Sequence, residues 1–145
     1  MEFLLDPTFT EIEYIIINNA VDEWNKVLPY SKHVFLKRVN FSKPLVGIPT
    51  KEVFKSKYPR VIRSNILQLS FLFSNGLRSI KGHRDRVKND IWLAHDVDIS
   101  RLRIITIHEF GHWLANRGDH LEKGIMSWNG DSNTITQSDM DYILK

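Results

Sequence analysis

Residues 98–120 read DISRLRIITIHEFGHWLANRGDH. Asp98 or Ser100 can cap a helix at its start, and Leu102, Ile105, Phe110, Trp113 and Leu114 recur at helical spacing until Gly118 supplies a stop. On such a helix His108 and His112 stand four residues apart, one turn above the other on the same face. Their imidazoles can meet one ion at about 2.0 to 2.1 Å, the usual zinc to nitrogen distance. Glu109 follows the first histidine and can reach the same opening, where a carboxylate takes a proton from water attacking a carbonyl. The spacing therefore encodes ligand, base and ligand within five residues.

A catalytic zinc takes three protein ligands and leaves a fourth position open, so a further donor is required. Gly118 lets the chain reverse, after which Asp119 or His120 can swing back toward the ion. His120 is preferred to Asp119, because neutral imidazole is a common zinc donor with the longer reach for an approach from a loop. His33, His83 and His95 compete only weakly and read more simply as surface or hydrogen-bonded residues. Glu122 is a remoter alternative.

Working outward, Thr136 with Asp139 resembles a capping box and opens a short C-terminal helix through Met140, Tyr142 and Ile143. At the other end, Thr10 and Glu13 form the same signal ahead of Ile12, Ile16, Ala20, Trp24 and Val27, a helix that must stop before Pro29. Residues 33–41 are rich in strand formers. Prolines 44, 49 and 59 with Gly47 break every pattern over residues 42–63, which predicts an irregular connection with one helical turn near residues 50–54. The apolar run 66–74, closed by Asn75-Gly76, reads as a buried strand, and residues 90–97 as another. Between them Arg78, Lys81, Arg84, Arg86 and Lys88 crowd a segment with the single acid Asp85, which reads as a solvated loop. No repeat or low-complexity tract interrupts the chain.

With 145 residues, 42% apolar and 26% charged, the chain can build one hydrophobic core and not two, so residues 1–145 are expected to form a single domain. The absence of cysteine excludes disulfides and thiolate metal sites. Residues 1–7 lack the pattern of a secretory signal and no segment has membrane-spanning length, which makes a cytoplasmic monomer away from membranes the default expectation. A net charge of +3 permits nucleic acid as a partner without implying it.

The stretch 108–128, HEFGHWLANRGDHLEKGIMSW, resembles the metzincin superfamily of zinc peptidases, and its HEFGH core is most similar to the matrixin branch. Ile125-Met126-Ser127 looks like the methionine turn that this superfamily places beneath its metal. Residues 134–139 are similar to the start of its C-terminal helix, and residues 20–27 loosely to its opening helix. The chain departs from the pattern where the family glycine is Ala115 and the third-ligand position is Gly118, which implies a turn delayed by two residues.

The resemblance implies an α+β fold: a small mixed twisted sheet with an N-terminal helix, an active-site helix and a short C-terminal helix. It also implies one catalytic zinc ion on His108, His112 and His120, with Glu109 as base, Met126 as support and a peptide or protein as substrate. No Asp- and Gly-rich segment for structural calcium or a second zinc precedes the helix. The substrate would lie extended along an edge strand, with residues 91–95 as the candidate. The competing expectation is a zinc-containing binding module without proteolytic activity, contacting nucleic acid or an acidic partner through residues 78–88. A third is self-cleavage in that basic segment, between Gly76 and Gly82 and the helix.

Overall fold

A computed structural model describes residues 1–38, 58–130 and 132–145. The expected helical turn at residues 50–54, most of the irregular connection and the end of the strand expected at 33–41 lie outside the described residues. The architecture is α+β: strands β1 (Glu2–Leu5), β2 (Phe35–Arg38), β3 (Arg60–Ser64), β4 (Gly82–Asp85) and β5 (Asp90–Ala94), with helices α1 (Glu11–Val27), α2 (Ile66–Ser74), α3 (Ile99–Ala115) and α4 (Gln137–Leu144). The strands form one sheet in the order β2-β1-β3-β5-β4. Its first four members are parallel, and β4 runs antiparallel to β5 at the end.

Both capping boxes form. Thr10 Oγ1 accepts from the Glu13 amide at 3.2 Å while Glu13 Oε1 accepts from the Thr10 amide at 2.9 Å, and α1 ends at Leu28, ahead of Pro29. The buried stripe of α1 is Ile17, Ala20, Val21 and Trp24, so Ile12 and Val27, expected on that apolar face, stand exposed at its two ends. Trp24 is fully buried and donates from Nε1 to the Ile107 carbonyl at 2.8 Å, fastening α1 to α3.

Three expectations require correction. Residues 66–74 form a helix and not a strand. Asn65 caps its start by accepting from the Gln68 amide at 2.8 Å, and Asn75-Gly76, read as a turn, ends it in the left-handed region with φ of 52° and 78°. Gly76 donates back to the Ser70 carbonyl at 2.9 Å, the wrap-around bond of a glycine-ended helix. A continuous apolar run carries no period to distinguish the two structures, so the caps decide.

The basic segment is likewise not wholly a loop, because Gly82-His83-Arg84-Asp85 pairs with β5 from Gly82 opposite Leu93 to Asp85 opposite Asp90. Little in GHRD favours a strand on its own; the ladder to β5 imposes it. This moves the sheet edge from residues 91–95 to β4. Beyond these three, β1 lies in a short N-terminal EFLL for which no element was expected and which shows no alternation, as befits a strand paired on both sides.

Candidate metal centre

Helix α3 is held rigidly by what lies under it. Leu102, Ile105, Ile107 and Phe110 are buried in the core, and Phe110 meets Phe3 of β1 edge to face at 4.9 Å. Gly111 has a separate reason to be glycine: a Cβ there would fall 2.3 Å from Met126 Sδ and 3.2 Å from Trp24 Cζ2. The fully buried Met126 thus presses its sulfur against the helix between the two histidines. The helix ends at Ala115, earlier than Gly118 suggested, because Asn116 adopts the left-handed conformation (φ 51°) and caps it.

The reversal that follows brings His120 to His108 and His112. Their ligand atoms all lie within 4.8 Å of one another, close enough to hold a metal ion. Nε2 of His112 is 3.0 Å from Nε2 of His108 and 3.2 Å from Nε2 of His120. Three nitrogens bound tetrahedrally at the zinc distance would be separated by about 3.3 Å.

Protonation argues in the same direction. His108 Nδ1 is 2.7 Å from the Ile125 carbonyl, and His112 Nδ1 is 3.0 Å from the Arg117 carbonyl. A carbonyl only accepts, so each Nδ1 carries the hydrogen and each Nε2 of a neutral ring presents a bare lone pair. Two bare lone pairs 3.0 Å apart cannot form a hydrogen bond with each other; a cation between them would resolve the contact. Burial keeps both rings neutral, pushing His108 down to about 4 and His112 to about 3, so protons do not compete for these atoms near neutral pH.

Of the two residues weighed as third donor, the structure brings in His120, whose ring stacks on Trp128 at 3.8 Å and on His108 at 5.1 Å. Asp119 faces away, its carboxylate paired with Arg117 at 2.5 and 2.9 Å. His33 bonds the Leu28 carbonyl, His83 stacks on Phe73 at 3.8 Å, and Glu122 is exposed. Neither they nor His95 join the cluster.

Glu109 is 7% exposed and borders the same groove as the three histidines. Burial pushes its carboxyl up to about 8, partly offset by a hydrogen bond from the Arg84 backbone. Gly82 permits the close approach of β4, since a Cβ there would lie 2.5 Å from Ile105 Cγ2 and 3.0 Å from Glu109 Cγ. The groove, about 550 Å³, runs between β4 on one side and His120, Trp128 and Gly130 on the other.

Two residues of α4 that sequence reasoning did not assign to the site hold it from behind. The carboxylate of Asp139, fully buried, accepts from the Met126 amide at 3.0 Å and the Ile125 amide at 3.2 Å, in addition to capping its own helix. The turn closes over it through Gly124, whose φ of +94° and lack of a Cβ keep it clear of Asp139 Oδ1. Tyr142 donates to the Asp119 carbonyl at 2.8 Å and offers its oxygen to His112 Nδ1 at 3.0 Å. The capping box was the only sign of Asp139, and the spacing of Tyr142 three residues later, on the same face, was the only sign of the second contact. Comparison of the chain with protein-family models, with curated proteins and with solved structures finds no match.

Proposed function

We propose that the protein is a zinc-dependent endopeptidase of metzincin-like type, with His108, His112 and His120 as ligands and Glu109 as general base. The observation that carries this reading is the bare Nε2 atoms of His108 and His112 converging with that of His120, beside a buried carboxyl that opens on the same groove. A purely structural site uses a closed set of four ligands and has no use for a neighbouring base. Zinc is favoured among metals by an all-imidazole donor set with room for a fourth position. When bound it would polarise a scissile carbonyl and lower the pKa of water.

The chain's own groups supply the remainder. Glu109 takes a proton from the attacking water and returns it to the departing amine; burial alone holds its carboxyl protonated near neutral pH, and a cation on the three histidines would lower its pKa and free it to act as base. The β4 edge offers backbone donors and acceptors along which an extended peptide can add as a further strand. Met126 sets the height of the helix without contributing a ligand.

Glu109→Gln tests the proposal. Peptide cleavage is expected to fall by about 10²- to 10⁴-fold, the usual worth of a general base, while one zinc per chain stays bound. Cleavage at the wild-type rate would defeat it.

A further inference from the structure

The groove beside the histidines is lined by Arg78, Lys81, Arg84, Arg86, Arg101 and Arg117, and Glu109 is the one carboxylate that borders it among the described residues. Only Arg117 of these six has a carboxylate in salt-bridge contact among the described residues, that of Asp119. Asp85, the single acid of the basic segment, instead receives the Val87 and Lys88 amides at 3.0 and 3.2 Å. Arg84 is the most telling. It rises from the middle of β4, its Nη2 reaches Asn116 Oδ1 at 3.2 Å, and its Nε and Nη1 are buried without a hydrogen-bond partner among the described residues. Burying guanidinium N–H groups unpaired is costly, and a carboxylate that reached Nε or Nη1 would satisfy it with a charge-assisted bond.

Resting on the peptidase reading above, we propose that this site selects peptide segments carrying aspartate or glutamate next to the scissile bond, with Arg84 as the principal specificity residue and Arg101 as a second. The cations stand inside the cleft and along the strand edge that would bind a peptide backbone, so acidic side chains meet them as the main chain adds to β4. A nucleic acid fits less well. It would bring phosphates against Glu109, and the Trp128 ring that could stack a base already has His120 on one face. Among the described residues Arg101, in the first turn of α3, bonds only the Asn129 carbonyl, at 3.5 Å, and borders the groove where a second acidic side chain would lie.

The test uses the zinc-loaded full chain. A randomised peptide mixture digested and mapped by mass spectrometry locates the cleaved bond, and matched peptides then carry Asp or Glu, their amide isosteres Asn or Gln, or Lys at the flanking positions. The acidic peptide is expected to exceed its amide isostere in kcat/KM by about tenfold for each carboxylate that meets an arginine, the usual scale for a charge-assisted bond. That advantage should shrink as salt rises. Arg84→Gln should reduce the acidic-to-amide ratio several-fold, and Arg101→Gln provides the same reading on a helix if the strand variant does not fold. Equal cleavage of acidic and amide peptides, or preference for lysine, overturns the proposal and leaves the peptidase reading intact. Failure to cleave any peptide with zinc bound defeats both, and tight binding of a DNA or RNA oligonucleotide without preference among the peptides assigns the cations to nucleic acid instead.

Discussion

Replacing Asp139 probes the support behind the candidate metal centre without touching any of the three histidines that could hold the ion. Its Oδ1 accepts from the Met126 amide at 3.0 Å, and its Oδ2 accepts from the Ile125 amide at 3.2 Å, the Thr136 amide at 2.8 Å and Thr136 Oγ1 at 2.7 Å. In Asp139→Asn the amide group avoids the most loss by taking the Oδ1 place, which turns an N–H toward the Met126 N–H and leaves one buried donor unsatisfied, at about 1 to 3 kcal/mol. Asp139→Ala strands the buried Ile125 and Met126 donors for about 2 to 6 kcal/mol and also removes the capping-box bonds from Thr136, whose hydroxyl still caps the helix. The Ile125 carbonyl is the acceptor for His108 Nδ1, so loosening this turn also frees the ring. Loss of such outer support lowers metal affinity by about 10- to 100-fold. Thermal unfolding of the metal-free protein and chelator competition for zinc measure the two effects separately. A lowered melting temperature with unchanged zinc affinity in Asp139→Ala, or wild-type behaviour of Asp139→Asn in both measurements, would contradict this coupling.

Gly111→Ala is expected to destabilise by about 1 kcal/mol, because overpacking against the buried Met126 sulfur outweighs the helix propensity gained; a rise in melting temperature would show that the contact is not tight. The metal-free protein should be most stable near pH 6.5. His108 and His112 are depressed to about 4 and about 3, so the unfolded chain binds more protons as pH falls below the ordinary histidine range, and stability is lost toward acid. Glu109 is raised to about 8, so the folded chain keeps a proton the unfolded one has released, and stability also declines from about 6.5 to 8. Melting temperatures across that range with a chelator present check both slopes, and a flat profile would contradict them.

What could be read from the sequence follows the range over which each signal acts. The α1 and α4 boundaries rest on contacts between residues three apart, and those were visible in Thr10-Glu13 and Thr136-Asp139. The pair His108 and His112 needs only one helical turn. His120 was reachable because the chain reverses within a few residues of α3. By contrast β4 owes its conformation to β5, and β1 to partners more than thirty residues away, so neither GHRD nor EFLL announces a strand. The misread run at 66–74 lacks a polar face; its Ser70 and Ser74 hydroxyls bond the Ile66 and Ser70 carbonyls, four residues back, and so occupy helix positions without marking a period.

The support for the histidines was the least legible part, and the reason is physical. Each ring is oriented through its Nδ1, His108 by the Ile125 carbonyl and His112 by the Arg117 carbonyl with the Tyr142 oxygen. The Ile125 carbonyl is fixed by Asp139, and Tyr142 lies one turn further along the same face of α4, so a single short helix governs both rings from behind. Its sequence shows only an ordinary capping box, because the second use of the same carboxylate, holding the turn at Ile125 and Met126, exists only after the chain has folded. The eight residues of α4 are too few to be a stable helix alone. Docking α4 and ordering the three-histidine cluster are therefore coupled, and a metal ion that rigidifies His108 and His112 should protect the amides of α4 as well as those of α3 from exchange.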